Sequence, residues 1–233
     1  MSCLLNIETA TSVCSVALSV DNRLIFEKVS PDGPSHAAML GVFAEEALTF
    51  AKQKSLKLDA VAVSSGPGSY TGLRIGVSMA KGLCFGYGIP LISVPTLEII
   101  ASKTIRQINA SGDALYCAML DARRMEVYAA IYTDQLKQVR ETTADIVTND
   151  TYSSYLQENK IYFFGNGSAK CKEVILSPNA VFIDDIYPLA ADMIPLSTEL
   201  FNTHTFVDTA YFEPFYLKEF IATTPKNKVL GTN

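Results

Sequence analysis

Histidine is almost missing from this chain: His36 and His204 are the only two among 233 residues. A zinc or iron pair on one helix needs ligands at i and i+4, so that both leave the same face. The residue four after His36 is Leu40. His204 stands in a polar, loop-like stretch and supports no Ser-His-Asp constellation. Catalytic machinery is therefore sparse, and no metal site is expected. Basic charge is short as well, with 19 Lys and Arg against 24 Asp and Glu and a net charge of −5. Affinity for nucleic acid rests on clustered cations that release counterions, so this chain alone is not expected to grip a polyanion. Any RNA would be held mostly by a partner. No apolar run reaches the roughly 20 residues of a bilayer span, and no long block of like charge marks disorder. Cysteine gives five positions, Cys3, Cys14, Cys84, Cys117 and Cys171, none in a Cys-x-x-Cys pair. They read as small core residues. The opening Met-Ser-Cys-Leu-Leu-Asn-Ile-Glu lacks a basic leader, so a cytoplasmic location without a secretion signal is expected.

What is present is apolar: 48% of the residues are hydrophobic, enough for a substantial core in one domain or two small ones. Leu4–Glu8, Val13–Val20 and Arg23–Val29 read as three antiparallel strands, with Asp21-Asn22 as a turn. Ser35 is a plausible N-cap for a helix in which Leu40, Phe43, Ala44, Ala47, Leu48 and Ala51 recur at helical spacing. A buried strand over Ala60–Ser65, a helix over about Thr71–Gly86, a strand over Ile89–Val94 and a helix over Leu97–Ala110 complete a β-β-β-α-β-α-β-α series. Ser111-Gly112-Asp113 reads as a boundary between a lobe of residues 1–110 and one of 111–233. Beyond it lie a hairpin, Leu115–Leu120 with Glu126–Tyr132, and a polar stretch with a helix near Asn149–Glu158. Strands follow over Lys160–Phe164 and Val181–Asp184, with helical spacing through Leu189–Phe201. The polar tail from Thr223 reads as frayed. No internal repeat stands out, although the halves share an order of strands before α/β units.

Three motifs carry possible chemistry. The turn Gly66-Pro67-Gly68-Ser69-Tyr70-Thr71-Gly72 joins a strand to a helix N-terminus, where backbone N–H groups and the helix dipole suit an anion. No Gly-Lys-Ser/Thr follows, so it is not a P-loop. It is either a phosphate seat or a structural turn capped by Ser69 or Thr71. The following helix carries Gly72, Gly76, Gly82 and Gly86, at about 1 kcal/mol per interior glycine relative to alanine. Gly72 and Gly76 share one face and suit either close packing within the lobe or a subunit contact. The opening turn sets Glu8 beside Thr9 and Thr11, able to cradle a phosphate or simply to hydrogen-bond locally. Gly165-Asn166-Gly167-Ser168 is a second glycine loop.

Taken in order, Leu5–Thr11, Ser35-His36, Ser65–Gly76, Pro95-Thr96-Leu97, Leu120–Arg123 with Glu126-Val127-Tyr128, and Glu213–Leu217 resemble the TsaB (YeaZ) family over nearly the whole chain. The resemblance implies an α/β, actin-like (ribonuclease H-like) fold of two lobes, each a mixed sheet flanked by helices, the second lobe degenerate. It implies a non-catalytic subunit that pairs with and activates TsaD, with the small ATPase TsaE, in threonylcarbamoyl transfer to N6 of adenosine 37 of tRNA. RNA would be reached through that complex only. TsaD carries a His-x-x-x-His metal pair where this chain has His36 and Leu40, which accords with a scaffold. The family pairs through its first two helices, and the face so implied holds His36, Met39, Leu40, Phe43, Gly72, Ile75, Gly76 and Met79. Whether the free chain forms a homodimer, and through the same face, is left open. Glu8, Thr9, Gly66, Gly68, Ser69 and Thr71 are the candidates for binding phosphate or organising the loop. The family usually has Asp in place of Glu8. No cofactor is firmly implied, with ATP or ADP at the partner interface left open. The competing reading is a small actin-like phosphotransferase built on the two glycine loops and Glu8-Thr9. A metallopeptidase reading finds no paired ligands.

Overall fold

The computed structural model describes residues 2–31, 36–108 and 114–218. Two five-stranded mixed sheets form its centre. The first contains β1 (Cys3–Glu8), β2 (Cys14–Val20), β3 (Arg23–Ser30), β4 (Ala60–Ser64) and β5 (Leu91–Val94), in the order β3-β2-β1-β4-β5. β1 and β4 are buried at every position because helices cover one face of the sheet and the second lobe covers the other. Helix α1 (His36–Gln53) lies over β2 and β3, and α2 (Tyr70–Tyr87) over β4, side by side on one face.

The second sheet contains β6 (Leu115–Asp121), β7 (Glu126–Tyr132), β8 (Gln138–Ile146), β9 (Ile161–Phe164) and β10 (Ala180–Ile183). Its order, β8-β7-β6-β9-β10, repeats that of the first, with three antiparallel strands followed by parallel pairing of β6, β9 and β10. The internal repeat that the sequence hides is thus plain in the strand order. Short α4 (Ser153–Glu158) stands where α1 stands in the first lobe, and a 3-10 turn, Ala169–Cys171, stands where α2 does.

The lobes exchange helices. Helix α3 (Thr96–Ile108) sends Leu97, Ile100 and Ala101 into a cluster with Tyr116, Leu120 and Phe164 of the second sheet. Helix α5 (Ile194–Asn202) returns Leu196, beside Met193, onto Leu4, Ala62 and Val94 of the first. Buried Ser197 donates from Oγ to Asn6 Oδ1 at 2.6 Å, fixing that exchange to the central strand. Each sheet is sealed on one side by an element from the other half of the chain.

The expected elements of the first lobe are all present, and two differences in the second have physical causes. Strand β8 (Gln138–Ile146) falls in the stretch read only as polar, ahead of the expected helix. It is an exposed edge strand whose one buried residue is Asp145, so it shows no apolar alternation. Arg140 grips Asp145 through two bonds, at 2.8 and 2.7 Å, and the Tyr152 hydroxyl donates to it at 2.7 Å. Burial pushes the Asp145 carboxyl up, but these bonds and one from Thr143 hold it below its ordinary value. Helix α5 begins at Ile194 rather than Leu189, because Pro195 suits a first turn and cannot sit inside a helix. The segment after Gly167 makes a single 3-10 turn. Ser35, the boundary at 110/111 and the tail from Thr223 lie outside the described residues.

Glycines on α2 divide into two sets. A Cβ on Gly72 would enter the Thr9 carbonyl oxygen and one on Gly76 the Thr9 hydroxyl, whereas Gly82 and Gly86 face open space. Gly72→Ala is expected to lower stability by about 1–3 kcal/mol through overpacking, and Gly86→Ala to raise it by up to about 1 kcal/mol. Urea unfolding of the two variants checks both signs.

Candidate functional site

The β4–α2 loop is built into the lobe on every side. Ser69 caps α2, its Oγ accepting from Gly72 N at 3.2 Å, and Gly88 ends the helix at φ 64°. Ser69 N donates to Ala10 O at 2.7 Å, and Gly66 N donates to Thr96 Oγ1 at 3.1 Å. A Cβ on Gly68 would strike Ala10 O. From above, a C-terminal strap crosses the loop. Val207 bridges to Leu91, Lys81 Nζ donates to the carbonyls of Ala210 and Phe212 at 2.9 and 3.1 Å, and Phe215 N donates to Ser65 O at 2.7 Å. A Cβ on Gly66 would come within 2.7 Å of Phe215 O, so that glycine, at φ 106°, makes room for the strap. The N–H groups of Gly66, Ser69 and Gly72 therefore serve protein oxygens. Thr71 lies exposed on the first turn of α2.

Beside the loop, Thr9 Oγ1 donates to Gly72 O at 2.8 Å and Glu8 Oε1 accepts from Ala10 N at 2.6 Å. Glu8 is fully buried. Its Oε2 and the Ser64 hydroxyl, both buried, lie close without an ordinary hydrogen bond. Burial pushes the carboxyl up to about 7, against lowering by the Ala10 N–H, the Ser64 hydroxyl and the Thr9 N–H. These residues come together as a turn locked onto a helix.

The expected pairing face needs correction in its membership. Leu40 is fully buried and Phe43 6% exposed, both in the core against the first sheet. Gly72 and Gly76 point at Thr9. His36 is buried, with Nε2 2.9 Å from Thr11 O. The cause is helical phase: the stripe that reads as apolar is the one each helix turns to the sheet. Met39, Ile75 and Met79 do reach the surface, half-buried. The outer side between α1 and α2 carries two adjoining grooves of about 550 and 730 Å³ that share Met79 and Leu83. Ala37, Ile75 and Gly82 line the first, and Gly41, Leu48 and Tyr87 the second. Gly41 and Gly82 have nothing within 4 Å of a Cβ. Sequence reading missed Gly41, Leu83 and Tyr87, although Gly82 and Gly86, also four apart, were a usable signal for the open side.

A family model described as TsaD, tRNA N6-adenosine threonylcarbamoyltransferase, matches residues 33–192. The chain is 30% identical over 227 residues to the tRNA threonylcarbamoyladenosine biosynthesis protein TsaB of Escherichia coli, covering 94% of this chain and 96% of that one. It belongs to the TsaB family. The Bacillus subtilis TsaB is 26% identical over 175 residues, 74% of each chain. The solved structure of YeaZ from Pseudomonas aeruginosa superposes with a TM-score of 0.78 at 25% identity, over 93% of this chain and all of that one. The two-lobed fold of that YeaZ structure is thus shared. No helix among the described residues is long and apolar enough to cross a membrane.

Glu8 supplies a pH test. Its folded pKa lies above the unfolded value of 4.5, so its stabilisation is complete below about pH 4.5 and is lost as pH rises through about 7. Unfolding free energy is expected to fall by about 2–3 kcal/mol between pH 5 and 8 on account of this group, and the fall should vanish in Glu8→Gln. Urea titrations at the two pH values measure it.

Proposed function

We propose that this chain is a non-catalytic subunit in the formation of threonylcarbamoyladenosine in tRNA, pairing with and activating a TsaD-type partner through the outer face of α1 and α2. The observation that carries the reading is the open double groove. Its apolar lining of Ile75, Met79, Leu83 and Leu48 offers burial, and Gly41 and Gly82 let a partner's helix approach the backbone. The TsaD-family match over residues 33–192 supports a partner of related build, since two chains of one fold can present matching helix pairs to each other.

Residue chemistry supports the absence of catalysis by this chain alone. A paired-histidine site on α1 would need a ligand at position 40, and a fully buried leucine occupies it. His36 turns inward to Thr11 O. The phosphotransferase reading would need free donors at the β4–α2 loop and an ionised acid at position 8. The N–H groups of Gly66, Ser69 and Gly72 serve protein oxygens, and burial pushes the Glu8 carboxyl up to about 7.

Gly82→Arg and Gly41→Arg fill open space and should leave the fold intact by circular dichroism. Each is expected to abolish co-elution with the TsaD-type partner in size exclusion, and to reduce modified adenosine in a reconstituted reaction to less than about a tenth. Unchanged co-elution of both variants would reject this face.

A further inference from the structure

The C-terminal strap does more than cover a loop: it joins the lobes and carries a row of aromatic and cationic side chains. On the first lobe, Tyr216 packs against Tyr70 as a tilted pair, with ring centroids 4.9 Å apart and planes at 40°. Arg74 lies over the Tyr70 ring at 5.4 Å and donates to its hydroxyl at 2.9 Å. Two residues on, Lys218 reaches the second lobe and pairs with Glu126 at the base of the β6–β7 turn. Tyr128 lies within the fields of both Lys218 and Arg123, and Lys170 pairs with Asp121 at the other side of the turn. Arg123 and Arg124 stand exposed at the turn itself. Their φ values of 70° and 49° place two long side chains in the left-handed region, where glycine or asparagine would be relaxed. The turn bears two guanidiniums at the expense of its own conformational preference.

Along this row five cations, Arg74, Arg123, Arg124, Lys170 and Lys218, face three carboxylates, Asp121, Glu126 and Glu213, on a chain whose net charge is −5. Phe215 and Tyr211, 49% and 85% exposed, add ring surface along the strap. Rings that accept stacked bases, interleaved with guanidiniums that accept phosphates or stack themselves, are the chemistry of unpaired RNA recognition. We infer that the stripe from Arg74 through Tyr216 to Arg123 and Arg124 is an RNA contact, which holds unstacked bases and a few phosphates of the tRNA while the partner holds the rest. This rests on the reading of the chain as a subunit of tRNA modification. The small surplus of charge matches a subsidiary contact, too weak for the isolated chain to bind RNA and strong enough to orient a loop already held nearby.

The test uses the complex assembled from this chain and its TsaD-type partner, with an unmodified tRNA transcript followed by fluorescence anisotropy across a salt series. The double variant Arg123→Glu, Arg124→Glu should raise Kd about 10-fold and reduce the salt slope by about 1–2. Tyr216→Ala should weaken binding at least about 5-fold, while Tyr216→Phe, which keeps the ring, stays within twofold. Lys137→Glu, in the turn at the far end of β7, should also stay within twofold. If the complex assembles and the double variant binds tRNA as the unsubstituted chain does, the stripe proposal is overturned and the pairing reading stands. If the double variant breaks up the complex, the stripe is a protein contact and the RNA proposal is overturned. Failure of the unsubstituted chain to assemble overturns both.

Discussion

The hydroxyl of Thr9 donates to the carbonyl of Gly72 at 2.8 Å, at a point where a side chain on either Gly72 or Gly76 would collide with the threonine. This one contact seats helix α2 on the end of the β1–β2 hairpin, and much of the first lobe is arranged around it. Because α2 cannot move outward without losing a buried hydrogen bond, the loop before it is held between Ala10 and the strap, and the helix's other side is fixed relative to α1. The grooves between the two helices inherit their shape from that placement. A feature that resembles a ligand cradle is, in energetic terms, the means of positioning a surface some turns away.

The same trade runs through the hairpin itself. Glu8 is fully buried and bonded to the Ala10 amide, and burial outweighs every hydrogen bond offered to its carboxylate form. The carboxyl is thus raised toward neutrality within a buried turn.

How much of this the sequence discloses depends on what each residue pattern reports. Strands β1 and β4 and helices α1 to α3 are legible because their burial is one-sided or complete and so leaves a period or a run. Strand β8 is not, since its anchor is a charge network around Asp145 rather than apolar alternation. The repeat of the two sheets is invisible because strand order is a property of pairing, and the counterpart of α2 has shrunk to a 3-10 turn. Motif spacing locates the Gly66 loop and the α2 glycines correctly, yet it cannot say which side of a glycine is occupied. Only the neighbours decide that Gly72 and Gly76 face Thr9 and that Gly41 and Gly82 face nothing. For the same reason Leu40 and Phe43, the most apolar members of the α1 stripe, belong to the core rather than to a surface.

The exchange of α3 and α5 between the sheets bears on how the two surfaces could work together. Each lobe's sheet is completed by a helix from the other half of the chain, and buried Ser197 ties α5 to Asn6 in the central strand of the first sheet. Relative motion of the lobes would break apolar clusters on both sides at once, a cost that favours a single rigid body over a hinge. The strap adds a third tie through Tyr216 and Lys218. In enzymes of two-lobed build, opening and closing admits and grips a ligand; here the ties oppose such a motion. Such ties set the outer face of α1 and α2 at a fixed distance and angle from the strap.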